Sequence, residues 1–103
     1  MKTITIPRQN LTQYEIMLIM RPDLPEEKFL KFLSEIKEHA KRNLALEFNL
    51  SNRGRRKLAY AMRKFQDGIY IQFNFLGSGY ILNSLIKRLK LEESILRYIV
   101  QKT

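Results

Sequence analysis

The sequence has no cysteine and no tryptophan, and it has a single histidine, three prolines and four glycines. Without cysteine there is no disulfide framework, no thiolate nucleophile and no cysteine-based metal site. The fold needs no oxidising compartment. No stretch approaches the roughly 18 apolar residues of a membrane span. Acid is scarce: ten Asp and Glu face nineteen Lys and Arg, a net charge of +9. A small domain this basic is expected to meet a polyanion. Residues 1–13 carry only Lys2 and Arg8 as charges. They lack the continuous apolar stretch of a secretory signal and are too short and arginine-poor for a transit peptide. They read as an N-terminal extension ahead of one domain over residues 14–103, and the chain is expected to work where it is made.

What is present is ordinary for a globular protein: 103 residues, 45% hydrophobic and 28% charged. That excludes a disordered polymer and a collagen-like fibre. Residues 14–20 are apolar on both faces apart from Glu15, the pattern of a central strand buried on both sides. Arg21-Pro22-Asp23 stops it. Asp23 then reads as a helix cap with Pro25 in the first turn. The helix is predicted to run to about Arg42, with Phe29, Leu33, Ile36 and Ala40 inward and Leu30 and Phe32 widening the stripe.

In a second strand, Leu44, Leu46, Phe48 and Leu50 alternate with polar or small residues. Ser51-Asn52-Arg53-Gly54 predicts a break or bulge, after which Leu58, Tyr60 and Met62 resume the alternation. Gln66-Asp67-Gly68 is a hairpin signal. Ile69, Ile71, Phe73 and Phe75 then face one way and Tyr70, Gln72 and Asn74 the other. Gly77-Ser78-Gly79 opens a second helix with Ser78 as cap, and Ile81, Leu82, Leu85, Ile86 and Leu89 form its apolar side. Residues 95–100 form a last strand. The order β-α-β-β-α-β predicts an α+β, ferredoxin-like fold: a four-stranded antiparallel sheet with both helices on one face.

The positive charge is unevenly placed. Across residues 23–42, five acids balance five bases, the pattern of a solvated helix face. Between Glu47 and Asp67 there is no acid, yet Arg53, Arg55, Arg56, Lys57, Arg63 and Lys64 are present. Residues 68–91 again lack acid and carry Lys87, Arg88 and Lys90. Uncompensated cations repel one another, and a polyanion relieves that cost; arginine also matches phosphate with paired donors. The plainer alternative is an edge strand whose bases deter sheet-to-sheet pairing.

No enzyme chemistry stands out. His39 has neither a partner nor ligand spacing and reads as a solvent-facing helix residue. The carboxylates sit at element starts and turns, except Glu15, which is expected to pair with a base on a neighbouring strand. Gly77-Ser78-Gly79 matches no nucleotide-binding loop. The Arg/Lys-Gly-aromatic core of an RNA-recognition motif is absent, so phosphate and shape contacts suit the chain better than base stacking. No metal and no cofactor is expected.

Tyr14-Glu15 followed by Arg21-Pro22-Asp23-Leu24, then Gly54-Arg55-Arg56-Lys57-Leu58-Ala59-Tyr60 with Lys64, then Gly68-Ile69-Tyr70, and finally Leu91 with Ile95-Leu96-Arg97-Tyr98 form a specific set. In these the chain resembles the bacterial-type small-subunit ribosomal protein six family, over residues 14–102. The resemblance implies a ferredoxin-like fold and a structural, non-enzymatic place on the platform of the small ribosomal subunit. It also implies pairing with small-subunit ribosomal protein eighteen and contact with the central domain of the small-subunit rRNA. Ala61 departs from the family's usual proline, the start runs about a dozen residues longer, and the acidic tail of some members is missing. The Asp67-Gly68-Ile69-Tyr70 and Gly77-Ser78-Gly79 segments are most similar to cyanobacterial and plastid members. Richness in Ile, Lys and Asn fits an AT-rich plastid genome, so a plastid ribosome is expected, with a bacterial cytoplasm as the alternative.

The RNA- or partner-contact candidates are Arg53, Arg55, Arg56, Lys57, Arg63 and Lys64, then Lys87, Arg88 and Arg97. Their expected role is phosphate neutralisation and register. Leu58 and Tyr60 are the candidates for docking a protein partner. Two rival functions use the same fold: a regulatory module that dimerises through its sheet, and an acyl-phosphate hydrolase. The hydrolase needs an anion-cradling loop, and no glycine-rich loop follows the first strand.

Overall fold

In the computed structural model, which describes residues 11–102, six elements follow in the expected order. They are β1 (Thr12–Met20), α1 (Glu26–Arg42), β2 (Leu46–Met62), β3 (Phe65–Gly77), α2 (Gly79–Lys90) and β4 (Ile95–Lys102). The strands make one antiparallel sheet in the order β2-β3-β1-β4. Tyr14, Ile16, Leu18 and Met20 of β1 lie opposite Phe75, Phe73, Ile71 and Ile69 of β3. Period-two alternation sends that set to one face, where Phe29, Phe32 and Ile36 of α1 and Ile81, Leu85 and Leu89 of α2 close the core. Both helices therefore cover the same face, and the other face of the sheet is open. Thr12 and Gln13 already belong to β1, pairing with Gly77 and Leu76. Residues 1–10 of the expected extension lie outside the described residues.

Several local expectations change. Asp23 does not cap α1: both its carboxylate oxygens accept bonds from Arg21, at 3.1 and 3.0 Å. That contact holds the Asp23 carboxyl below its usual range and the Arg21 guanidinium above its own. Pro25 takes the cap position with φ −58°, already near helical. Along α1 the buried residues are Phe29, Phe32, Ile36 and Ala40. The stripe runs through Phe32, leaving Leu33 half-buried and Leu30 55% exposed.

β2 departs most from simple alternation. Leu44 and Glu47 have positive φ, 63° and 50°. They rotate the chain out of phase, so Leu44 and Leu46 face solvent while Phe48 and Leu50 pack on the core. The bulge expected near Gly54 is present. Gly54 has φ 86° and its N–H donates to Asn52 Oδ1 at 2.8 Å, and the pairing with β3 shifts there.

The hairpin turn is not at Gln66-Asp67-Gly68. It is Arg63-Lys64, both at positive φ (48° and 71°) between the paired Met62 and Phe65, the signature of a type I′ turn. Gly68 instead lies within β3 opposite Arg56, and the space above it requires glycine: a β-carbon there would lie 2.5 Å from Ile19 Cγ2 and 3.4 Å from Leu58 Cδ2. Ile19 and Leu58 are buried but lie outside the main core, as a small cluster on the open face. Elsewhere on that face β1 is only partly covered, with Glu15 and Met17 half-buried, so β1 is not buried on both sides throughout. Ser78 does precede α2, but its hydroxyl makes no cap bond; its carbonyl accepts the N–H groups of Ile81 and Leu82 at 3.1 and 3.3 Å.

Candidate nucleic-acid interface

The register sorts the open face into bands that run across the strands. At the hairpin end, Gly54, Tyr70, Ile19 and Arg97 lie side by side, with Arg56 opposite Gly68 just beyond. The Arg56 guanidinium lies over the Tyr70 ring, 5.6 Å from its centroid. The Arg97 guanidinium donates to the Tyr60 hydroxyl at 3.1 Å. Tyr60 is 63% exposed, so its ring stands at the surface with its polar end fixed. The arm carrying the turn extends past the end of β1, since β1 pairs with β3 only from Ile69 onward. Arg63 at its tip donates to the Glu93 carbonyl at 3.1 Å, and Arg21 lies over the Phe65 ring at 5.2 Å. These contacts fix an arm that leaves Lys64 exposed.

Arg53, in the bulge, also reaches the open face. It donates to Gln72 Oε1 at 3.0 Å, and the Gln72 amide in turn donates to Glu15 Oε1. Among the described residues, the base expected to pair with Glu15 therefore meets it through an amide, not directly. The chain Arg53–Gln72–Glu15 spans β2, β3 and β1. Residue composition did not reveal this chain; the period-two placement of Gln72 on the face opposite Ile71 and Phe73 was the available signal.

The remaining candidates separate from this group. Arg55 faces the helix side of the sheet opposite Ile69 and pairs with Asp67 at 2.9 Å, and Lys57 is exposed opposite Asp67. Lys87 is exposed on α2, beside a groove with Tyr80 and Asn83. Arg88 is a packing residue. It bonds Glu35 at 2.6 Å and Glu92 at 3.3 Å and covers the Phe32 ring at 5.4 Å, with its side chain only 24% exposed. Burial lowers its pKa, but the bonds to Glu35 and Glu92 outweigh that and leave it raised. Leu58 is 6% exposed and holds the small cluster over Gly68, so it offers a partner no surface. His39 is not solvent-facing either: its ring Nε2 is 2.8 Å from Ser84 Oγ, joining the helices. Among the described residues no group of three or more potential metal ligands occurs.

The cationic end is thus Arg53, Arg56, Arg97, Arg63 and Lys64 with two tyrosines, an arrangement that can hold phosphates. It has no nucleophile, acid–base pair or enclosed pocket. The family model of ribosomal protein S6 matches residues 13–102. The chain belongs to the ribosomal protein S6 family. It is 36% identical over 89 residues to small ribosomal subunit protein bS6 of the cyanobacterium Synechocystis, covering 86% of this chain and 79% of the relative. It is 34% identical over 99 residues to small ribosomal subunit protein bS6c of the red alga Pyropia yezoensis, covering 96% and 91%. The crystal structure of 30S ribosomal protein S6 from Thermotoga maritima superimposes with a TM-score of 0.80 at 25% identity, over 90% of this chain and 88% of that one. The C-terminal domain of the MgtC protein from Mycobacterium tuberculosis shares the fold, with a TM-score of 0.55 at 17% identity. As an S6-family member the chain is a structural protein and not an enzyme. Its cyanobacterial and plastid relatives make it an S6 of a plastid or of the bacterial cytoplasm.

Proposed function

We propose that the cationic end of the open face grips phosphates of small-subunit rRNA in its central domain, while the chain pairs with small-subunit ribosomal protein eighteen. The chain is a structural constituent of the small ribosomal subunit, as its S6-family membership establishes. The observation that carries the RNA reading is the placement of Arg53, Arg56 and Arg97 on one face, with the Arg63-Lys64 turn projecting beyond its end. No described carboxylate is ion-paired to Arg56 or Lys64. Arginine over tyrosine is pre-oriented, so less side-chain entropy is lost when it binds phosphate.

The test uses Arg56→Glu with Lys64→Glu, both exposed and outside every described ion pair. Arg55→Glu is a poorer choice because it sets two carboxylates together at Asp67. The double variant should stay folded and melt within about 8 °C of the parent, the range for two surface changes of about 0.5 kcal/mol each. Its affinity for a central-domain rRNA fragment should fall roughly a hundredfold through lost and reversed phosphate contacts. Unchanged RNA affinity in a folded double variant would overturn the assignment.

A further inference from the structure

The open face is not uniformly basic. Away from the hairpin, two neighbouring bands contain Asn49, Asn74, Glu15 and Gln101, then Ser51, Gln72, Met17 and Ile99. Among these eight residues Glu15 alone is charged; the Arg53 guanidinium reaches Gln72 from the neighbouring bulge, on the β2–β3 side, while the β1–β4 side carries only the Glu15 carboxylate. A band further on, Leu46 lies opposite Leu76, with Leu46 45% exposed. Glu15, Met17, Ile99 and Gln101 line a groove of about 200 Å³. One oxygen of Glu15 is occupied by the Gln72 amide. Met17 and Ile99 face each other across β1 and β4 and form an apolar floor, Ile99 43% exposed.

We propose that this groove receives an arginine side chain from a protein partner. This rests on the reading of the chain as a ribosomal constituent with a protein neighbour, and it places that neighbour on the part of the face that RNA avoids. A carboxylate among neutral amides repels phosphate and attracts a cation. Arginine fits better than lysine. Its planar guanidinium lies flat on an apolar floor while its fork of donors meets the free Glu15 oxygen and the amide oxygen of Gln101. The sheet face is then divided by charge, with RNA at the Arg56–Arg97 end and a basic protein over Glu15. Arg53, bonded to Gln72, stands at the boundary and holds the amide against Glu15.

The test is a methyl NMR titration of the full chain with Nα-acetyl-arginine amide, and separately with inorganic phosphate. Saturable shifts of the Met17 and Ile99 methyls with the arginine amide, but not with phosphate, are expected. Glu15→Gln, which keeps an acceptor for Gln72, should weaken that binding roughly tenfold, the loss of one charge-assisted contact. The same variant should weaken binding to protein eighteen and leave rRNA affinity unchanged. If phosphate moves these methyls, if arginine does not, or if Glu15→Gln leaves the arginine shifts intact, the proposal is overturned. Methyl shifts that follow protein concentration without any arginine would assign the groove to a second copy and also overturn it. If arginine binds as expected but protein eighteen does not bind the parent chain, the groove stands and the identity of the neighbour falls.

Discussion

Gly68 sits in β3 where the γ2-methyl of Ile19 occupies the place of a β-carbon, 2.5 Å away. Ile19 is β-branched and stiff about χ1, so it cannot turn aside cheaply. The Met20 carbonyl lies at contact distance from the same point, 3.4 Å. Gly68→Ala should therefore destabilise the domain by about 1–3 kcal/mol, the range for overpacking. That would lower the melting temperature by about 4–8 °C per kcal/mol. A melt within one degree of the parent would show that Ile19 and Leu58 relax freely. This residue also shows where sequence reading fails. Asp67-Gly68 carries the strongest turn dipeptide in the chain, yet the turn forms at Arg63-Lys64, which has none of the usual turn residues. The glycine answers a different need: Ile19 of β1 and Leu58 of β2 leave no room for a β-carbon at position 68 of β3, and no local window contains all three. Arg88 is similar: as a sequence residue it is one more base near a helix end, and only the fold shows Glu35, Glu92 and Phe32 around it.

Among the elements, the apolar rows of β1, β3 and α2 were legible because each keeps one period from end to end. β2 was less so, since positive φ at Leu44 and Glu47 and the bulge at Gly54 reset its phase. That α1 and α2 share one face was legible from the element order, but the side-chain contacts between them were not. They include His39, whose ring nitrogen meets Ser84 Oγ at 2.8 Å. Burial lowers the His39 pKa from its usual 6.5, and the positive charges of Arg42 and Arg88 lower it further. The folded state thus favours the neutral ring. Its contribution to stability is complete above pH 6.5 and is lost as pH falls through the lower folded-state pKa. The melting temperature should therefore fall as pH drops below about 6.5, where histidine is the side chain that changes charge. His39 is the sole histidine, so His39→Gln should flatten that dependence. An unchanged slope in the variant would locate the titration elsewhere.

At the scale of the whole molecule, a net charge of +9 says that a polyanion is near but not which cations touch it. The fold makes that selection. Arg21, Arg55 and Arg88 are spent on Asp23, Asp67, Glu35 and Glu92. Arg53, Arg56 and Arg97 lie on the open face, with Arg63 and Lys64 at the hairpin turn beyond it; Lys64 is exposed, and the other four meet neutral groups: a tyrosine ring or hydroxyl, a carbonyl or an amide. Salt dependence can distinguish the two groups. Each neutralised phosphate contributes about −0.7 to −0.9 to the slope of log affinity against log salt, so about five contacts predict a slope near −4 for rRNA binding. Removing Arg56 or Lys64 singly to alanine should make that slope shallower by about one unit at nearly constant melting temperature. Arg88→Ala should do the opposite, leaving the slope alone while lowering stability by about 1–2 kcal/mol through loss of charged hydrogen bonds and packing. If Arg88→Ala instead flattened the slope, the RNA would have to reach the helical side of the sheet, and the division of surfaces derived from the register would be wrong.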